Sequence, residues 1–154
     1  MGTRQITTAL LERSIAALDW MVKRRGESRL PEHLVTGMSG EDAAFFELRR
    51  KGYIVVARRW SAGNLPGDLD LIAWHGELLC FVEVKTRTAR DMTPAESAVD
   101  RHKQHVLRRL GRAYLRRSPQ AEAPATRFDV MSVYLVPGEE RAIVHFENAF
   151  GWSS

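Results

Sequence analysis

An α/β domain on a central mixed sheet is predicted for this chain by three observations. Short β-branched and apolar runs come in two blocks, an amphipathic helical pattern precedes each block, and Gly- or Pro-containing turns punctuate them. The first helix is expected from Ser39, where Ser39 and Asp42 fit a capping box, to about Lys51, with Ala43, Ala44, Phe45, Phe46 and Leu48 as its apolar residues and Gly52 as its stop. Residues 53–59 (YIVVARR) read as a strand, and residues 60–67 (WSAGNLPG) as a loop. Residues 68–74 (DLDLIAW) and 77–87 (ELLCFVEVKTR) form a hairpin through His75-Gly76. Residues 95–117 carry Val99, Val106, Leu110 and Tyr114 at helical spacing and form one long helix. After a polar linker with two prolines, residues 127–136 and 141–147 give two further strands joined around Pro137-Gly138.

Ahead of this block stands an extension of different character. Residues 3–25 show a helical stripe (Ile6, Leu10, Leu18, Met21) that ends in Lys23-Arg24-Arg25-Gly26, and residues 27–38 read as linker. The expected organisation is therefore an extension and linker over 1–38 and the α/β domain over 39–154.

Composition narrows the class. The 154 residues are 44% hydrophobic and 27% charged, which is globular rather than disordered. The net charge of +4 suits an anionic partner without choosing between nucleic acid and a membrane surface. One cysteine, Cys80, excludes an intrachain disulfide and a Cys-rich zinc site. No apolar run approaches the roughly 20 residues of a membrane helix, and Glu12, Arg13 and Asp19 interrupt any leader-like stretch, so a cytoplasmic protein is expected. There is no Walker A motif and no G-x-G-x-x-G, and the five histidines lack metal-binding spacing.

The chemistry lies where acids interrupt apolar strands. Side chains alternate along a strand, so Asp68, Asp70 and Ile72 share one face, as do Leu79, Phe81, Glu83 and Lys85. A hairpin through His75-Gly76 pairs Asp68 with Glu83 and Asp70 with Phe81, which gathers Asp68, Asp70, Glu83 and Lys85 at the open end of the sheet. Carboxylates there cost desolvation energy that a divalent cation offsets. Mg²⁺ or Mn²⁺, which take hard oxygen ligands and keep several waters, are the expected cofactors. Lys85 is placed to orient an attacking water or to stabilise charge on a phosphate. Glu41 supplies a further carboxylate if its helix points that way. Taken alone, a Glu-x-Lys in a strand is a common solvated ion pair. Its weight here comes from Asp70 in the paired strand.

These residues carry a resemblance. Gly40-Glu41-Asp42-Ala43-Ala44, Gly52-Tyr53, GDLDLIA (67–73) and FVEVKTR (81–87) look like the YraN-like bacterial proteins over about residues 39–150. The resemblance implies a restriction-endonuclease-like αβββαβ core, akin to archaeal Holliday-junction resolvases, and a predicted endonuclease activity. It implies Glu41 as the helix acid, Asp70 and Glu83 as metal ligands, Asp68 in the acidic position before Leu-Asp-Leu, and Lys85 as the catalytic lysine. A lysine is also expected near Lys103. The superfamily's Pro-Asp dipeptide is displaced here to Pro66-Gly67-Asp68.

The helix from Arg101 to Arg117 holds seven basic residues and no acid, and an i,i+4 series of arginines repels itself unless a polyanion lies near. Arg101, Arg108, Arg109, Arg112 and Arg116, with Arg87 from the strand, are the expected nucleic-acid contacts, and Trp60 is a candidate for base stacking. Cys80 reads as a buried core thiol and Asp129 as a structural hydrogen-bonding partner. The leading expectation is a metal-dependent phosphodiesterase acting on DNA, by analogy branched DNA, with a homodimer addressing two strands. The competing expectations are a nucleic-acid-binding module of the same fold and an adaptor that works through its N-terminal helix.

Overall fold

The computed structural model describes residues 32–90, 99–117 and 123–153. The helix expected over residues 3–25 lies outside these. In chain order the elements are α1 (Glu32–Arg50), β1 (Ile54–Trp60), β2 (Leu69–His75), β3 (Leu78–Arg87), α2 (Arg101–Arg117), β4 (Thr126–Tyr134) and β5 (Ala142–Phe150). The strands form one sheet in the order β1-β2-β3-β4-β5. β3 and β4 are parallel, joined by the crossover that carries α2, and the other neighbours are antiparallel. This is the αβββαβ core of a restriction-endonuclease-like fold, followed by one antiparallel edge strand.

Each face of the sheet is covered by one helix. On one face α1 lays Ala43, Ala44 and Leu48 on Leu71, Ala73, Cys80, Val82, Met131 and Val133. On the other, Leu107, Leu110 and Ala113 of α2 pack on Ile72, Leu79, Phe81, Phe128 and Val130. Cys80 is a free, buried thiol in the first cluster, and burial pushes its pKa up to about 11. Asp129 is fully buried: its Oδ2 meets His145 Nε2 at 2.9 Å, its Oδ1 accepts from the Asn148 amide, and Arg127 pairs with it at 2.8 Å. It serves structure, tying β5 to β4. No helix among the described residues is long and apolar enough to cross a membrane.

Three sequence expectations change. The helix expected from Ser39 begins at Glu32, so Ser39 is no cap and α1 runs through part of the expected linker. Gly40 therefore sits mid-helix, where a Cβ would overlap Thr86 Oγ1 of β3; the missing side chain lets α1 approach the sheet. The helix expected from Ala95 is seen from Arg101, where the Asp100 carboxylate accepts the Lys103 amide at 2.8 Å in an N-cap bond. The hairpin turns on Gly76-Glu77, closed by His75 opposite Leu78, with Gly76 at φ 62°. Its register differs by two residues from that expected, an even shift that leaves every side chain on its predicted face.

Two glycines of α1 give opposite expectations. Gly37→Ala, with open space around its Cβ position, raises stability by about 0.5–1 kcal/mol through helix propensity. Gly40→Ala lowers it by about 1–3 kcal/mol despite the same gain, and a second change, Thr86→Ala, restores part of the loss. Urea unfolding of the three variants checks both signs. Equal effects at positions 37 and 40 would contradict the close α1–β3 approach.

Candidate active site

β2 begins at Leu69, while β3 runs on to Arg87. Carrying the register one residue past Leu71–Val82 sets Asp70 across from Glu83, where the sequence had placed Asp68. At this point the Val84 amide donates to Asp70 Oδ2 at 2.7 Å. A cleft of about 700 Å³ opens here, lined by Thr36, Gly37, Glu41, Asp70, Glu83, Val84, Thr86 and Thr88.

Both central carboxylates are buried, Asp70 at 9% exposure and Glu83 at 4%. Glu83 Oε1 accepts two ammonium groups, Lys85 Nζ at 2.9 Å and Lys103 Nζ at 3.2 Å. Its other oxygen, Oε2, is buried and has no hydrogen-bond partner among the described residues. Burial, reinforced by the neighbouring Glu83 charge, raises the Asp70 pKa to about 7, although the Val84 N–H and Lys103 act the other way. Partial burial works against the Lys103 ammonium, but its charge and hydrogen-bond interactions with Glu83 prevail and its pKa is raised. Lys85 and Lys103 thus meet at the same carboxylate, from a strand and from the first turn of α2.

The carboxylates expected to complete a metal shell are placed differently. Glu41 lines the cleft, but its two oxygens accept from Arg59 Nε at 2.6 Å and Arg59 NH2 at 2.9 Å. Asp68 is half-buried, precedes β2 and is not among the residues lining the cleft. Among the described residues no group of three or more His, Cys, Asp or Glu is arranged to hold a metal ion. The expected set of Asp68, Asp70, Glu83 and Glu41 reduces to Asp70 and Glu83. That pair still fits a hard divalent cation. Two adjacent buried carboxylates, one with an oxygen unpartnered among the described residues and one whose pKa is raised by burial and then by its neighbour's charge, form a donor set that Mg²⁺ or Mn²⁺ would fit.

Arg59 is the site residue that sequence reasoning missed. Strand alternation sends Arg58 and Arg59 to opposite faces. Yet Arg58 pairs with Asp42, and Arg59 with Glu41, consecutive residues of one helix. The alternation is broken by Arg59 itself, whose φ of 47° lies in the left-handed region, at a cost of about 1–2 kcal/mol for a residue with a side chain. The only sequence signal was a second arginine at the end of an apolar strand.

The basic helix divides. Arg108 is buried rather than available to phosphate: its Nε donates to the Gly151 carbonyl at 2.8 Å, and its NH2 donates to Ser153 O at 3.0 Å and Gln104 Oε1 at 3.2 Å. It fastens the C-terminal residues to α2, and the expectation that it binds nucleic acid is withdrawn. Arg112 is exposed but lies over the Trp152 ring. Arg101, Arg109 and Arg116 are exposed on α2, and Arg87 is half-buried on β3. Trp60, expected to stack on a base, instead packs edge-on against Tyr114 and beneath Arg117.

The Asp70 shift has a signed consequence. The unfolded chain ionises this carboxyl near pH 4, while the native state holds the proton to about pH 7. Its contribution to stability is thus full below pH 4 and falls as pH rises to 7, by a few kcal/mol at about 1.4 kcal/mol per unit. Asp70→Asn, which keeps an acceptor for the Val84 N–H, flattens this slope and is the more stable protein at pH 8. Mg²⁺ or Mn²⁺ at pH 8 stabilises the wild type and not Asp70→Asn. Urea titrations at pH 5 and pH 8, with and without metal, measure all of this. Parallel pH slopes for the two proteins would refute the buried, repelled state of Asp70.

Comparison with known proteins follows the motif-bearing part of the chain. Residues 40–133, which include Glu41, Arg59, Asp68, Asp70, Glu83, Lys85 and Lys103, match the model of an uncharacterised protein family, UPF0102. A UPF0102 protein of Koribacter versatilis is 52% identical over 105 residues, covering 68% of this chain and 72% of its own length. One from Solibacter usitatus is 46% identical over 107 residues (70% and 79% of the two chains). A third, from Porphyromonas gingivalis, is 37% identical over 122 residues (79% and 87%). The YraN-like motifs and these matches agree, and the chain belongs to the uncharacterised protein family UPF0102.

Proposed function

We propose that this protein is a metal-dependent phosphodiesterase, a cytoplasmic nuclease acting on DNA. The observation that carries the proposal is the buried Asp70–Glu83 pair, with Glu83 Oε2 unpartnered among the described residues and two lysines on Oε1. A core without such a task has no use for two adjoining buried carboxylates, one of them at a raised pKa. Asp70 and Glu83 hold Mg²⁺ or Mn²⁺, which when bound supplies Lewis-acid polarisation of a phosphoryl oxygen.

The remaining work falls to the chain's own groups. Lys85, about one-third exposed, orients the attacking water and stabilises negative charge as it builds on the phosphate. Lys103 anchors Glu83 and adds positive charge beside it. Arg101, Arg109 and Arg116 grip backbone phosphates without reading sequence, with Arg112 at the Trp152 edge and Arg87 as further contacts. Two copies acting together suit two strands of a branched substrate. A second reading, a nucleic-acid-binding module with little catalysis, draws on one observation: the third carboxylate, Glu41, is held by Arg59.

Labelled branched, duplex and single-stranded DNAs, with RNA, are incubated with Mg²⁺, Mn²⁺ or EDTA. Cleavage requires metal and falls by about 10²–10³ in Glu83→Gln and in Lys85→Ala. Tight binding with no cleavage by the wild type would establish the binding module instead.

The divided helix yields its own expectation. Arg109→Ala and Arg116→Ala each weaken binding on every sequence and reduce the salt slope by about one. Arg108→Ala leaves the slope unchanged and lowers stability by about 2 kcal/mol or more. Salt titrations of binding, paired with unfolding curves, separate the two classes.

A further inference from the structure

Arg59 has features that a simple helix-to-strand tie does not need. It sits across the sheet from Asp70, because Arg58–Leu71 and Trp60–Leu69 flank that rung, and Asp70 in turn faces Glu83. Its backbone adopts φ 47°, which re-aims the guanidinium to Glu41. Arg58, one residue earlier, already ties β1 to α1 through Asp42 and lies over the Phe45 ring. The Arg59 side chain is 47% exposed, whereas its partner Glu41 is 14% exposed and lines the cleft. The fork of a guanidinium that grips two carboxylate oxygens fits two oxygens of a phosphodiester equally well.

Charge accounting around the cleft gives the pair a direction. Glu83 has Lys85 and Lys103, while Glu41 has Arg59. The charge of Glu41 also raises the pKa of Asp70. If Arg59 turns to an incoming phosphate, Glu41 is left as an uncompensated carboxylate in the cleft that Asp70 and Glu83 share. That arrangement repels itself unless a cation enters.

We propose that Arg59 is a phosphate-responsive latch on this site. Without substrate it holds Glu41 in a closed ion pair. A backbone phosphate of nucleic acid draws the guanidinium away, and Glu41 is released to join Asp70 and Glu83 as a cation ligand. Substrate and divalent cation therefore bind with positive coupling, each strengthening the other by the same factor. The proposal rests on the phosphodiesterase reading and names a regulation of its site.

The test is a double-mutant cycle on binding, read by fluorescence anisotropy of a labelled single-stranded DNA oligonucleotide in EDTA, with Mn²⁺ affinity measured separately by calorimetry without DNA. Glu41→Gln frees Arg59 and tightens metal-free DNA binding by roughly three- to fivefold, the scale of a half-exposed ion pair. Arg59→Ala weakens DNA binding by a similar factor and, having freed Glu41, tightens Mn²⁺. In the double variant the gain from Glu41→Gln disappears. Arg59→Asn, whose side chain tolerates the left-handed backbone, repeats the Arg59→Ala result if alanine disturbs folding. An equal gain from Glu41→Gln with and without Arg59 marks a general charge effect and overturns the latch. So does weaker Mn²⁺ binding in both Arg59 variants, the signature of a structural tie. A wild type that binds and cleaves DNA while failing these tests loses only the latch. A wild type that binds no nucleic acid overturns the latch together with the phosphodiesterase reading.

Discussion

Two carboxylates buried side by side impose the constraint on which the candidate site depends. Asp70 and Glu83 face each other across adjacent strands at the point where β2 begins and β3 continues alone. Neither is exposed enough for water to absorb the repulsion, so the surrounding groups must do so. The Val84 amide, freed from the β2 ladder, satisfies one Asp70 oxygen. Lys85, two residues along the same strand face, and Lys103, from the start of α2, share one oxygen of Glu83. The remaining oxygen of Glu83 has no partner among the described residues, so compensation is left incomplete there.

The helices are positioned to serve that constraint. The Asp100 cap fixes where α2 begins and thereby sets Lys103 in its first turn, within reach of Glu83. On the opposite face Gly40 brings α1 so close to Thr86 that the next residue, Glu41, reaches the cleft. Gly111 plays the matching part in α2, where a Cβ would come within 2.9 Å of the Trp152 ring. The arginines of α2 are likewise sorted by packing. Arg108 turns inward to C-terminal carbonyls, Arg112 and Arg117 lie over Trp152 and Trp60, and only part of the basic face remains open to an anion.

Legibility in the sequence followed the physics of each element. The strands were plain, because β-branched runs with period-two acids have few other readings. Asp70, Glu83 and Lys85 were identified as neighbours even though the hairpin register was two residues out, since an even slip preserves the face of every side chain. The start of α1 was hidden because residues 27–38, with Pro31 and Gly37, resemble a linker and Ser39 with Asp42 resembles a capping box, until the helix has a sheet to lean on. Arg108 was misplaced because helical spacing tells which residues share a side but not how far a long side chain bends back toward the core.

What the sequence determined by itself is the order of the described elements, the face each residue of the β2–β3 hairpin occupies and the chemical types gathered at the sheet's end. These depend on local periodicity and on pairing between chain neighbours. Only the tertiary structure decided which carboxylates stay together and which are claimed by cations. Glu41 meets Arg59 through a helix and a strand eighteen residues apart, at a backbone angle no propensity favours, and this long-range contact takes both its oxygens within the cleft that it lines with Asp70 and Glu83. Pair energies of that kind depend on distances and burial, which composition and spacing do not contain.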